Sequence, residues 1–300
     1  MGSIVGLLAL ASIIVVSLKF LQPQKNRLEL VQRTMTWWVI LGFFLGALLL
    51  SKGVAIIFFA FVSYLAFKEY MSLIPTRRAD RHVLFWAYLS IPVQFWWIYI
   101  EWYGMFIIFI PVYMFLLLPM YMTLRGKTQG FLKAAGTLHW GLMTSVFSLS
   151  HMAFLLVLPR EGNPVAGGIG LVLFLACLTE LNDVAQYVWG KSFGKRKVIP
   201  DVSPNKSWAG LLGGVATTVV LAFFLAPYLT PLSPTDSIIA GVIIGLGGFL
   251  GDVTVSAVKR DVGIKDTGTI LPGHGGILDR VDSLTFTAPL FLHFIRYFYY

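Results

Sequence analysis

The chain has 300 residues, of which 57% are hydrophobic and 12% are charged, about half the charged fraction of a soluble domain. The apolar residues fall in runs of about 20, long enough to cross ~30 Å of hydrocarbon. These features exclude a soluble globular protein and predict an all-α integral membrane protein, because lipid offers the backbone no hydrogen-bond partners. The net charge of +9 is explained by basic loops on the cytoplasmic side, so we expect no nucleic-acid partner.

Ten candidate spans follow one another along the chain, which predicts a polytopic bundle of about nine or ten transmembrane helices. The spans cover residues 3–21, 35–51, 53–73, 83–100, 103–123, 136–158, 165–182, 208–230, 237–257 and 284–300. Glycines four residues apart, at 241 and 245 and again at 247 and 251, are spaced to let helices pack closely.

The basic residues give this bundle an orientation. If the N-terminus faces away from the cytoplasm, 18 of the 23 lysines and arginines lie in loops on the cytoplasmic side, and only Lys52 and Arg160 lie in loops on the other. Basic residues accumulate in cytoplasmic loops. The sequence therefore predicts that both termini face away from the cytoplasm.

The two halves of the chain differ in composition. Residues 1–175 are rich in aromatic and aliphatic side chains and predict a body of transmembrane helices. Residues 176–300 hold nearly all the polar side chains that could bind a ligand or take part in catalysis. They predict a catalytic transmembrane core. Lys68 and Glu69, inside the third span, are either a neutralised structural pair or part of a lipid entrance.

Acidic residues gather near the predicted cytoplasmic ends of the later spans and in the loop between the last two. They are Glu180, Asp183, Asp252, Asp261, Asp266, Asp279 and Asp282, interleaved with basic residues at 191–206 and 259–280. Carboxylates bind a hard divalent ion such as Mg²⁺, which takes further ligands from phosphates, and lysines and arginines neutralise phosphate charge. This indicates a polar active site on the cytoplasmic side, although residues 191–197 alone are equally typical of orientation signals and headgroup contacts.

Residues 256–282 carry the pattern S-x-V-K-R-x4-K-D-x-G-x2-L-P-x-H-G-G-I-x-D-R-V-D. This pattern resembles the signature of the CDP-diacylglycerol synthases, or phosphatidate cytidylyltransferases. The segment S-P-N-K-S-W at 203–208 is similar to a second family motif, and Asp183, Tyr187 and Gly190 fit the segment before it. The resemblance covers roughly residues 180–283, and the first half matches only as a generic membrane domain.

The resemblance implies that CTP and phosphatidic acid react to give CDP-diacylglycerol and pyrophosphate, for phospholipid biosynthesis. It implies Mg²⁺ held by Asp252 and Asp279, Asp282 as a ligand or a group that orients one, and possible use of a monovalent cation such as K⁺. Lys259 is expected to be catalytic. The residues expected to bind CTP or the lipid phosphate are Asp183, Ser203, Lys206, Ser256, Arg260, Lys265, Asp266, His274, Gly275, Gly276 and Arg280. A homodimer in the bacterial inner membrane, with the site facing the cytoplasm, is also expected.

Some positions depart from the family pattern. Gln186 stands where the family has small residues, and Val255, Asn205, Ser207 and Ala209 replace commoner residues. These departures leave the metal site intact but open the alternative of a paralogue acting on another lipid phosphate. Two further alternatives are a CTP-dependent lipid kinase of the polyprenol type and a non-enzymatic transporter or lipid scaffold. The full signature favours the cytidylyltransferase over the kinase, and charges gathered at one surface disfavour a transporter.

Overall fold

The computed structural model describes residues 6, 9, 12, 28–74, 77, 81–124, 126–268, 270–271 and 275–300. These residues are overwhelmingly helical and contain no β-strand, only two isolated bridges. The all-α class is therefore confirmed. In chain order the helices are α1 (Leu28–Leu50), α2 (Lys52–Leu73), α3 (Arg81–Tyr99), α4 (Tyr103–Thr123, with a π-helical segment at Phe109–Met114), α5 (131–155, π-helical at Met143–Ser148), α6 (Gly167–Phe193), α7 (Trp208–Leu229), α8 (Pro234–Val262), α9 (Leu278–Val281) and α10 (Leu284–Tyr299).

The helices follow the predicted spans closely. Nine of the ten predicted spans coincide with helices of the described residues, and of the remaining one, 3–21, only residues 6, 9 and 12 are described. Six helices within the described part of the chain are long and apolar enough to cross a membrane, namely α1 (from Val31), α2, α4, α6, α7 and α8. The chain is therefore a multi-pass membrane protein, whereas the total of nine or ten spans stays a prediction.

Serine residues define where three of these helices begin. Ser51, Ser207 and Ser233 each precede a helix, and the side-chain oxygen of each accepts a hydrogen bond from a backbone N–H three residues later. Such caps satisfy one of the donors that a helix start leaves without an intrahelical partner. The cap at Ser207 matters most for the site, because it fixes the loop that precedes α7.

Helix α6 is longer than the sequence suggested. The predicted span covers residues 165–182, but the helix continues to Phe193. The reason is that its polar side chains face protein: buried Asn182 donates to the carbonyl of Gly245 on α8 and accepts from Thr218 on α7. Since α6 also passes residue 175 without a break, the predicted boundary between the two halves falls inside a helix, and the division stays a prediction.

The second half of the chain is a tight group of helices, in which α7 packs against both α6 and α8, and α8 packs against α10. At Gly251 of α8 the chain around residue 282 comes so near that an added Cβ would lie 2.5 Å from the carbonyl oxygen of Asp282 and 3.0 Å from the Cα of Ser283. Gly251 thus sets the distance between α8 and the acidic residues before α10.

Replacing Gly251 by alanine should therefore destabilise the protein, because two backbone segments must move apart. Overpacking of this kind costs about 1–3 kcal/mol. Gly42→Ala is the matched control, since Gly42 lies in helix α1 and no atom of the described residues stands within 4 Å of its added Cβ. Thermal unfolding in detergent should show a lower Tm for Gly251→Ala and an unchanged or higher Tm for the control. An unchanged Tm for Gly251→Ala would contradict the close approach.

Candidate active site

The loop between α8 and α10 is organised around the carboxylate of Asp279. Its Oδ1 accepts a hydrogen bond from Lys259 Nζ at 2.8 Å. Its Oδ2 accepts three more, from the backbone N–H of Thr267 at 2.7 Å, the hydroxyl of Thr267 at 2.9 Å and the backbone N–H of Gly276 at 3.0 Å. We call residues 263–277, between α8 and α9, the signature loop. Asp279 contacts this loop near both of its ends, at Thr267 and Gly276, and joins it to Lys259 in the last turns of α8.

The ion pair between Lys259 and Asp279 is withdrawn from solvent, with side-chain exposures of 11% and 5%. Asp279 lies outside the membrane-spanning helices. Burial raises its pKa, but the hydrogen bond and charge of Lys259 and the backbone donors of Thr267 and Gly276 outweigh burial and hold the pKa below its ordinary value. The carboxylate is therefore ionised at neutral pH.

A second ion pair joins Asp252 on α8 to Lys206 in the loop before α7, with Oδ2 and Nζ 2.5 Å apart. Ser256, one turn along α8, donates to Asp252 Oδ1 at 3.2 Å. The loop holds Lys206 in place, because its carbonyl accepts from Val198 N and its backbone N–H donates to Ser203 O. The S-P-N-K-S-W segment thus serves to bring one ammonium group to Asp252.

Two further carboxylates lie beside this pair. Asp282 is 9% exposed, and Asp183 on α6 accepts a hydrogen bond from the Ser283 hydroxyl at 2.9 Å. Asp282 also lies outside the spanning helices, and burial raises its pKa well above the ordinary value, with the negative charges of Asp252 and Asp183 raising it further. Asp183, Asp252 and Asp282 are thus close enough to repel one another, although they come from three separate segments.

Glu69 of α2 reaches into the same loop from the first half of the chain. It is 5% exposed, and its two oxygens accept the backbone N–H groups of Ile277 at 2.9 Å and Leu278 at 2.8 Å. Gly276 permits this approach, since an added Cβ there would stand 2.4 Å from Glu69 Oε2. Lys68 is exposed. The Glu69 carboxylate takes its hydrogen bonds from the backbone at the start of α9, and it thereby acts as a cap for the segment that carries Asp279.

The remaining predicted residues occupy different environments. Arg260 is exposed and donates to the carbonyls of Val202 and Ile264, which fastens the Ser203 loop to the signature loop. Lys265 and Asp266 are exposed. Arg280 is half-buried, and its Nε has no hydrogen-bond partner among the described residues. Gly275 adopts a left-handed backbone with φ of +81°, and His274 lies outside the described residues.

The donor chemistry of this cluster fits a hard cation. Mg²⁺ takes oxygen ligands, and Asp183 Oδ1 is a buried carboxylate oxygen that no described residue supplies with a hydrogen bond. Within the described ranges, no three His, Cys, Asp or Glu side chains already stand in position around one point. An ion bound here would therefore take part of its coordination from substrate phosphates or water, as Mg²⁺ commonly does.

Sequence reasoning left two of these contacts unassigned. Glu69 was visible only as a charge inside an apolar span, which marks a residue as functional without naming its partner. Thr267 had no signal of its own beyond lying within the signature. Both act through hydrogen bonds to backbone or carboxylate atoms, and such bonds leave no periodic pattern in a sequence.

The chain is similar to several known proteins. The chain is 45% identical to the uncharacterized protein YnbB of Escherichia coli (strain K12) over 297 residues, which are 99% of this chain and 97% of that protein. It is 42% identical over 132 residues to a phosphatidate cytidylyltransferase of Haemophilus influenzae, and 42% identical over 134 residues to one of Synechocystis. These matches cover 42% and 44% of this chain and under half of each of those two proteins.

The family assignment rests on a broader match. The sequence profile of the cytidylyltransferase family fits residues 31–298, which include α2 with Glu69 as well as the whole acidic cluster. The likeness therefore extends over both halves of the chain and is not confined to the signature loop. This membrane protein is a nucleotidyltransferase that belongs to the cytidylyltransferase family, the family of the CDP-diacylglycerol synthases.

Proposed function

We propose that this enzyme is a phosphatidate cytidylyltransferase, which converts CTP and phosphatidic acid to CDP-diacylglycerol and pyrophosphate in phospholipid biosynthesis. The observation that carries the proposal is the cluster formed by Asp183, Asp252 and Asp282 with Lys206 and Lys259. Carboxylates and ammonium groups interleaved in this way suit two phosphate-bearing substrates that share a cation. The two named relatives, matched over part of their length, support the same reaction.

In this reaction an oxygen of the lipid phosphate forms a bond to the α-phosphorus of CTP, and the bond from that phosphorus to the β-phosphate oxygen breaks. The nucleophile is already an anion, so no strong base is required. Catalysis rests on alignment and on neutralising charge, as in phosphoryl transfer generally. The chain's part is to hold two highly charged groups in line.

We propose Mg²⁺ as the resident cation, with Asp252 and Asp279 as its ligands. Its chemistry would be to offset the negative charge of the phosphates and of the departing pyrophosphate. Oδ1 is the oxygen of Asp279 available for this role, because Oδ2 already accepts three hydrogen bonds. Asp282 would orient these ligands, and Asp183 Oδ1 would be one donor for a monovalent cation such as K⁺.

The cationic and polar side chains would bind the phosphates. Lys259 would pass from Asp279 to a substrate oxygen when the cation binds, and Lys206 would do the same from Asp252. Arg280, Lys265 and Arg260 would neutralise the rest of the triphosphate and the lipid phosphate. The pocket would be completed by Ser203, Ser256 and Asp266, with the backbone of Gly275 and Gly276 and the side chain of His274 around the leaving pyrophosphate.

The proposed setting is the bacterial inner membrane, with the site facing the cytoplasm and the enzyme acting as a homodimer. The distribution of basic residues supports this orientation. The full-length likeness to a bacterial protein supports the membrane. The orientation can be tested with the variant Lys195→Cys, because Lys195 is exposed. A membrane-impermeant thiol reagent should label this cysteine only after the inner membrane has been permeabilised.

A paralogue that acts on another lipid phosphate is the second candidate. It is favoured by the extensive identity to a relative without an assigned activity and by Gln186 in the cluster. An acceptor panel of phosphatidic acid and other lipid phosphomonoesters, assayed with CTP and Mg²⁺, separates the two candidates by their kcat/KM values.

The reaction class is tested by following each phosphate of CTP. Purified enzyme with Mg²⁺ and phosphatidic acid should transfer label to lipid from α-labelled CTP and should release label as pyrophosphate from γ-labelled CTP. Transfer of the γ-label to lipid would instead identify a lipid kinase and refute the proposed reaction. Removing Mg²⁺ with a chelator should stop the reaction, and restoring Mg²⁺ should recover it.

A further inference from the structure

Gln186 of α6 lies beside the acidic cluster, which consists of Asp183, Asp252 and Asp282. Its side chain is buried, with 4% of the residue exposed. Its Oε1 accepts a hydrogen bond from Lys206 Nζ at 3.0 Å, and the same ammonium group is 2.5 Å from Asp252 Oδ2. An ammonium group only donates hydrogen bonds. The oxygen of the Gln186 amide must therefore face Lys206, which fixes the orientation of the whole amide.

The other end of this amide has no acceptor. Nε2 is buried, and none of the described residues accepts a hydrogen bond from it. Leaving a buried donor without a partner is unfavourable, and such a group in a native structure calls for an explanation. Nε2 belongs to the same amide group that holds Lys206, so it lies within a few ångströms of an ammonium that the proposed reaction assigns to a phosphate.

The backbone of α7 restricts the space around this side chain. An added Cβ at Gly214 of α7 would lie 2.4 Å from Gln186 Cγ, and one at Gly210 would lie 2.7 Å from the Gln186 carbonyl oxygen. The backbone of α7 therefore packs directly against Gln186. A donor that is fixed in space beside a cation is preorganised for an oxygen acceptor.

We propose that Gln186 is a substrate-contacting residue, whose Nε2 donates a hydrogen bond to an oxygen of the phosphate bound by Lys206. This inference rests on the proposed function, because it takes the acid and lysine cluster to be the phosphate site. The phosphate belongs either to CTP or to the acceptor lipid. Because Gln186 departs from the family pattern noted in the sequence, the contact would be a recognition feature of this chain.

The inference is tested with two variants of similar size. Gln186→Met removes the donor and the acceptor, and Gln186→Glu keeps an acceptor for Lys206 but places a negative charge next to the phosphate. KM for CTP is measured at saturating phosphatidic acid, and KM for phosphatidic acid at saturating CTP. We expect one of the two KM values to rise by about 10- to 100-fold in Gln186→Met, as for the loss of a hydrogen bond to a charged group, and further in Gln186→Glu, with kcat changed much less.

Gln94→Met is the matched control. Gln94 is a buried amide on α3 that donates to the carbonyl of Phe106 and to Ser150, away from the acidic cluster. Its replacement should lower the Tm and leave both KM values within about twofold of wild type. This separates the loss of any buried amide from the loss of a substrate contact.

Equilibrium binding keeps the test independent of turnover. The affinities of wild type and Gln186→Met for CTP and for dioctanoyl phosphatidic acid are measured separately. Weaker CTP binding identifies the nucleotide as the source of the phosphate, and weaker lipid binding identifies the acceptor. If wild type binds these ligands without transferring the nucleotide, the proposed function fails while the inference is still judged by the affinities. A folded Gln186→Met protein with both affinities within about twofold of wild type overturns the inference.

Discussion

Asp279→Ala should abolish the release of pyrophosphate from CTP in the presence of phosphatidic acid and Mg²⁺. The variant loses a proposed metal ligand, and it also frees Lys259 and both backbone donors of the loop. Removing one preorganised electrostatic group costs about 100- to 1000-fold in rate, and we expect a loss beyond 100-fold. The measurement is continuous pyrophosphate detection with protein of verified Tm and monodispersity.

In Asp279→Ala, the loss of folding stability must be distinguished from the loss of catalytic rate. A buried Lys259 ammonium without its partner lowers the free energy of unfolding by about 3–5 kcal/mol. The double variant Asp279→Ala with Lys259→Met removes that charge, so it should recover much of the stability and none of the activity. Asp261→Ala, which removes an exposed acid in the last turn of α8, serves as the control with normal turnover. Wild-type rates in a folded Asp279→Ala protein would exclude Asp279 from the metal site.

Glu69→Gln should lower kcat by about 10- to 100-fold, although residue 69 lies about 200 positions before the signature loop. Glutamine has one acceptor oxygen where glutamate has two, and its amide N–H₂ would face the backbone N–H of Ile277 or Leu278. Hydrogen bonds to a charged group are worth about 1.5–3 kcal/mol each. Without them, the segment that carries Asp279 is no longer held in one conformation.

Hydrogen exchange distinguishes this effect from general damage. In Glu69→Gln, the amides of Ile277 and Leu278 should exchange faster while those of α7 stay protected. Lys68→Gln is the control on the same helix turn, and because Lys68 is exposed its kcat should stay within about twofold of wild type. An unchanged kcat with unchanged exchange at residues 277–278 would show that the cap has no role in catalysis.

The sequence was sufficient for the helices because their signal is local. Runs of apolar residues have a length set by the bilayer, so nine of the ten predicted spans coincide with helices of the described residues. The end of α6 was misjudged for a physical reason. The predicted span stops at residue 182, whereas the helix continues because Asn182 and Gln186 hydrogen-bond to neighbouring segments of the protein.

The site was predicted from sequence motifs and not from runs of apolar residues. The signature and the S-P-N-K-S-W segment indicated which residues belong together, and the ion pair between Lys206 and Asp252 joins the second motif to α8, one helical turn before the signature begins. The roles of individual residues within the cluster remain predictions. Which oxygen of Asp279 accepts from Lys259 alone, and which end of Gln186 faces Lys206, depend on the placement of single atoms from distant segments, which no spacing rule encodes.

The contact between Glu69 and the start of α9 has a consequence for biogenesis. During synthesis, α2 enters the bilayer long before residues 277 and 278 leave the ribosome. The Glu69 carboxylate therefore has neither of these two hydrogen-bond donors until the later segment is made. An unpaired carboxylate in a membrane-spanning helix is unfavourable, and binding the later segment removes that cost. A chain cut after α7 should therefore be recognised as incomplete by membrane proteases, and supplying residues 230–300 as a separate polypeptide should protect it.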